Sequence, residues 1–149
     1  MRSSSSRRGG GGRSGHAGVE LSLLAPWLLF LFMGAFDFGF YAYALISVQN
    51  AARVAALYAG TTEAPSQAVA CVYVLDELRG LPNAQSFLSD CSALPLIVSN
   101  PVLFTDSEGR KAFRVQVTYQ TIQLIPIPGL LMDKLTFTRT AAVKVYGNT

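Results

Sequence analysis

Residues 13–46 read RSGHAGVELSLLAPWLLFLFMGAFDFGFYAYALI. A basic stretch closes on Gly15, a lone Glu20 follows, and between Leu21 and Ile46 the single side chain expected to carry charge is Asp37. The run exceeds the roughly 20 apolar residues that a bilayer core demands, so it reads as a membrane-spanning helix. Upstream stand Arg2, Arg7, Arg8 and Arg13 with no acid among them. Short flanks rich in Arg stay in the cytoplasm, which predicts a cytoplasmic N-terminus and an exported C-terminal part. A basic leader before an apolar helix describes a substrate for processing and extraction, not an enzyme.

The charge distribution supports the division. The formal charge of +3 comes from 12 basic and 9 acidic residues, and the four leader arginines account for the excess, leaving 8 basic against 9 acidic. The sequence pI of about 9.1 therefore belongs to the leader, and no basic surface for nucleic acid remains. The leader itself, SSSSRRGGGGRSG at its core, has no apolar side chains to offset chain entropy and is set aside from the fold.

About 100 residues follow the membrane segment, enough for one small domain. Cys71 and Cys91 both fall in that exported part, where oxidation is permitted. A disulfide between them is the leading reading, worth on the order of 3 kcal/mol for a loop of this size; two separate buried thiols are the alternative. The spacing fits no zinc pattern, and the sole histidine, His16, lies on the other side of the membrane.

The helical signal continues past the membrane. SVQNAARVAALYA, residues 47–59, lacks Gly and Pro and is rich in Ala, so one helix is predicted from about Ala17 to Ala59. Ala44, Val48, Ala52, Ala55 and Ala59 recur at three- and four-residue steps as a narrow small-residue face, with Gln49, Asn50 and Arg53 on the other side. Gly60, Thr61 and Thr62 read as the stop. A second helix is predicted from Pro65 to Arg79, with Val69, Val72, Tyr73 and one of Leu75 or Leu78 turned inward, and a short helical turn between Ala84 and Ala93.

From Pro95 the pattern becomes extended. Leu96 to Phe104 is interrupted by Asn100 and Pro101, which indicates an edge strand or a bulge. Residues 106–110, DSEGR, form a turn, and Phe113, Val115, Val117 and Tyr119 then alternate with polar residues. After a Pro-rich loop, PIPGLLMDK, the alternation returns at Leu135, Phe137, Ala141, Val143 and Val145. The predicted fold class is α+β: a long N-terminal transmembrane helix and a small antiparallel sheet of about three strands in meander order, covered by the Ala-rich half of that helix. The expected divisions are a leader at 1–15, a membrane and assembly helix at 16–60 with its membrane part at about 21–43, and an extracytoplasmic domain at 61–149.

This layout resembles that of type IV pilin-like proteins. Within that class, GVELSLLAPWLLFLFMGAFDFGF and NAARVAALYAG resemble the TadE-like family of tight-adherence (Tad/Flp, type IVc) pilus proteins, in which a Glu opens an apolar helix containing a Pro and closing on Asp-Phe-Gly. The resemblance implies a minor pilin or pseudopilin, cut by an inner-membrane prepilin peptidase and extracted to initiate or cap a filament. Its implied partners are other pilin-like subunits, the major pilin and the inner-membrane assembly platform; no cofactor and no metal are implied. The cut falls between Gly15 and His16, making Glu20 the fifth mature residue, with Gly18 as a lesser alternative. His16 departs from the small or apolar residue usual after the cut.

Glu20, where the helix enters lipid, and Asp37, near the outer interface, are the candidate assembly residues. A lone carboxylate deep in lipid costs about 2.5–3.5 kcal/mol, and a free amine at His16 of a neighbouring subunit would relieve it. The bland readings are a helix-dipole contact for Glu20 and a wetted carboxylate for Asp37. Pro26 is expected to kink the helix or free carbonyls, and Trp27 to pack. No catalytic constellation is present in the sequence: no exported His, no phosphate-binding Gly loop and no Cys-His pair on one side of the membrane. Two other readings remain: a permanently anchored single-pass protein whose outer domain recruits other components, and a secreted domain cut after Ala44.

Overall fold

The computed structural model describes residues 14–87, 89–122 and 134–145. The basic leader up to residue 13 and the Pro-rich loop at 126–133 lie outside the described residues. The chain divides into two compact units, one ending at Phe36 and the other beginning at Asp37.

One helix, α1 (Ser14–Thr61), supplies the described part of the first unit and enters the second. Pro26 lies inside it, and the helix continues without a break although Pro cannot bond the Ser22 carbonyl. In the first unit Leu21, Leu24, Leu28, Phe32 and Phe36 are exposed, as is Trp27 at 69%. The packing expected for Trp27 is therefore not made within this chain, because no second element accompanies the helix among the described residues of that unit. Each such side chain forfeits about 1.5–3 kcal/mol in water. Among the described residues, α1 is the one helix long and apolar enough to cross a membrane.

The second unit is built on the Ala-rich half of α1. Ala44, Val48, Ala52, Ala55 and Ala59 are fully buried, and Ala51 and Ala56 widen the stripe. They form one core with Leu96, Val98, Val115, Val117 and Tyr119. Small side chains give up buried area per residue but let the helix backbone approach its neighbours closely. Gly60 does the same: α1 ends at Thr61, within the expected 60–62 stop, and an added Cβ on Gly60 in that last turn would meet Val143 Cγ1 at 3.0 Å.

Helix α2 (Gln67–Glu77) starts at Ser66, whose Oγ accepts the Val69 N–H at 3.4 Å. Its buried face is Ala70, Cys71 and Val74, continued by Leu78 in the following 3-10 turn (Leu78–Gly80). The expected inward set is corrected here: Val69, Val72 and Tyr73 are exposed. Apolar residues surround this short helix, so composition does not define its phase, and the bond from Cys71 to Cys91 does. The short turn expected between Ala84 and Ala93 is a 3-10 turn at Ala84–Ser86.

Five strands follow among the described residues: β1 (Ser92–Ala93), β2 (Leu96–Val98), β3 (Val102–Thr105), β4 (Lys111–Gln120) and β5 (Thr136–Lys144). All pair antiparallel, and β4 is central. Strands β2 and β3 lie along the same edge of β4, Val98 opposite Val117 and Val102 opposite Arg114, so residues 99–101 face only residues 115–116. That is a one-residue bulge at Asn100 and Pro101 in an otherwise single edge strand. Ser99 bridges it: its N–H donates to the Gln116 carbonyl and its Oγ accepts the Gln116 N–H, both at 2.9 Å. In layer terms the sheet is a three-stranded meander with the two-residue β1 added beside β2. On β5, Phe137 and Ala141 face inward as expected, whereas Leu135 is exposed and lies before the strand.

Candidate functional site: the membrane helix and its acidic residues

The residues singled out for processing and assembly all lie on α1. Gly15 and His16 fall in its first turn. Glu20 is exposed, and it stands beyond that turn. A helix dipole acts mainly within the terminal turn, so it offers Glu20 little in the uncut chain. Removal of residues 1–15 would start the helix at His16 and bring Glu20 within about one turn of a new amine.

Asp37 opens the second unit, and its setting differs from the wetted carboxylate considered above. It is only 5% exposed, and its Oδ1 has no hydrogen-bond partner among the described residues. Exposed Phe36 and Phe38 flank it. A buried carboxylate oxygen without a donor is costly.

Away from the helix, Cys71 and Cys91 are disulfide-bonded, with Cα atoms 5.8 Å apart. The bond links α2 to the residue before β1, and Gln67 Nε2 donates to the Val98 carbonyl at 2.8 Å beside it. Tyr119 donates from its hydroxyl to Asn83 Oδ1 at 2.7 Å, and burial pushes that hydroxyl up to about 12. The acidic pairs serve local structure. Asp106 accepts the N–H groups of Glu108 and Arg110 at 2.9 Å each, closing the turn before β4, and Asp76 pairs with Arg79. Among the described residues no group of His, Cys, Asp and Glu could hold a metal ion.

One feature went unread in the sequence. Arg139 follows the parity of Phe137, Ala141 and Val143, which turns it toward the helix side of β5, opposite Val117. There it shares a groove with Arg53 of α1. The period-two count along β5 is the signal that identifies it.

Helix α1 is a long helix, apolar and exposed in its first part, that turns along one face into a stripe of small residues packed on the sheet. Residues 15–57 match the TadE-like protein family. The match starts at Gly15 and stops within α1. Over this helix the chain is similar to proteins associated with the tight-adherence pilus, and the TadE-like segment has the length and exposure of a membrane anchor. No curated protein and no solved structure matches the chain.

Proposed function

We propose that this chain is a minor pilin or pseudopilin of a tight-adherence pilus, a structural subunit and not an enzyme. Prepilin peptidase cuts it after Gly15, and the subunit waits in the inner membrane with its sheet domain in the periplasm. Extraction by the assembly platform then places it at the start or cap of a filament of major pilin. The observation that carries this reading is α1 itself: a TadE-like helix with its apolar half unburied and its Ala-rich half packed on a sheet. Arginines at positions 2, 7, 8 and 13 support the cytoplasmic N-terminus.

In this mechanism Glu20 sets the register. The amine freed at His16 of one subunit neutralises Glu20 of the next, and any other register leaves a carboxylate unpaired in an apolar surround. Mass spectrometry of the mature N-terminus tests the processing step. A chain beginning at His16 is expected, while an intact N-terminus would support a permanently anchored protein that recruits other components. A Glu20→Ala protein is expected to be membrane-bound but excluded from filaments; normal incorporation would remove Glu20 from the mechanism.

A further inference from the structure

The groove between α1 and β5 has a volume of about 330 Å³ and is lined by Leu45, Ile46, Gln49, Asn50 and Arg53 from the helix and by Arg139 from the sheet. The five helix residues share one face, and their chemistry changes in order along it. Two apolar side chains come first, then two amides, then a guanidinium, with the second guanidinium across the groove. Ile46, which closes the apolar run, is 62% exposed. The ion pairs among described residues involve Arg79, Arg110 and Lys144, and neither groove arginine takes part.

We propose that this groove binds an anionic phospholipid, its phosphate held by Arg53 and Arg139 and its upper acyl chain lying against Leu45 and Ile46. A lipid of the outer leaflet presents these groups in the same order, apolar nearest the membrane interior and phosphate farthest out. Helical side chains lean toward the helix N-terminus, so Arg53 reaches back toward the apolar run and not away from it. Guanidinium donors suit a phosphodiester, and the two amides supply neutral donors between the charged and apolar ends of the groove. A free phosphate would leave the apolar end of the groove unused, and an acidic protein segment would not need it. The proposal rests on α1 crossing a membrane and is independent of whether the subunit enters a filament.

The test uses the full chain reconstituted into nanodiscs of equal phosphatidylglycerol and phosphatidylcholine, re-extracted in mild detergent, with retained lipid counted by mass spectrometry. Wild type is expected to retain phosphatidylglycerol over phosphatidylcholine by about tenfold, the scale of one charge-assisted hydrogen bond. Arg53→Gln and Arg139→Gln should each remove most of that preference, Arg53→Lys should keep part of it, and Lys111→Gln, outside the groove, should keep it all. Equal retention of the two lipids, or an unchanged ratio in the double Gln variant, would overturn the proposal. Displacement of the lipid by inorganic phosphate would also overturn it, in favour of a phosphate site. Loss of a co-purifying protein from the Gln variants without any lipid preference would overturn it in favour of an acidic partner. Release of wild type from vesicles by an alkaline wash would instead refute the membrane reading on which the proposal stands. Unfolding midpoints of the Gln variants within a few degrees of wild type are expected; a collapse of both would make the arginines structural and overturn the assignment.

Discussion

Gly60 and Val143 meet so closely that a single added carbon on the glycine would lie 3.0 Å from Val143 Cγ1 and 3.4 Å from the Lys144 carbonyl oxygen. The last turn of α1 is thus seated against the end of β5, and the absence of a side chain sets the distance. Gly60→Val should lower stability by about 1–3 kcal/mol, the usual cost of overpacking. Val143→Ala in the same chain should recover part of the loss. Thermal unfolding of the two single variants and the double variant measures the coupling, and strict additivity would show that the two sites do not press on each other.

The disulfide predicts a separate loss. Cys71 and Cys91 are 20 residues apart in sequence, and both are buried. The double Cys→Ser variant should be less stable by about 3 kcal/mol in the chain-entropy account. Reductant should lower the denaturation midpoint of wild type to about that of the variant and leave the variant unchanged. A midpoint insensitive to reductant would mean that α2 and β1 hold together without the bond.

Tyr119 gives a prediction in pH. The rings of Phe87 and Phe137 lie 6.0 and 5.4 Å from its own, and the hydroxyl reaches Asn83 inside the core. Its ordinary value of 10.0 rises to about 12 on burial, so between these values the unfolded chain loses the proton first. Stability therefore holds below pH 10 and falls as pH climbs toward 12, by about 2–3 kcal/mol for a shift of this size. Tyr119→Phe should flatten that alkaline decline while costing about 1–2 kcal/mol at neutral pH through the orphaned Asn83 oxygen. Urea denaturation at pH 8 and at pH 11 distinguishes the two effects.

Much of this architecture is legible because it is periodic. The apolar run to Ile46, the steps from Ala44 to Ala59 and the alternation from Val115 to Tyr119 each repeat often enough to define a face, and Asn100-Pro101 marks the bulge by its chemistry. Short elements lack that repetition. Helix α2 carries Val69, Val72 and Tyr73 on its exposed side, and only the long-range bond to Cys91 fixes its phase. Strand β1 has two residues, Ser92 and Ala93, and exists through its pairing with β2. Gly60 reads locally as part of the helix stop, which it is, but its close packing on Val143 is hidden because that neighbour is distant in sequence. For the candidate site, Glu20 and Asp37 stand out as charges in an apolar run, but the burial of Asp37 depends on the fold. Arg139 acquires meaning only once β5 is laid against α1 and Arg53.

Asp37 provides the sharpest test of assembly. A buried carboxylate whose Oδ1 has no partner among the described residues burdens the isolated chain. Replacing such a group by an apolar side chain of similar volume is neutral or stabilising where the charge serves only the fold of the single chain. Asp37→Leu should therefore leave the unfolding midpoint unchanged or raise it. If, in the proposed filament, the carboxylate meets a cationic group of another subunit or of the assembly platform, the same variant should be lost from that filament, with pilus-associated protein down about tenfold for one lost charged contact. Quantitative blotting of sheared filaments alongside thermal unfolding of the purified variant reads both quantities. A stable variant that assembles normally would leave Asp37 with no role in assembly, and a destabilised one would make it a structural residue of the second unit.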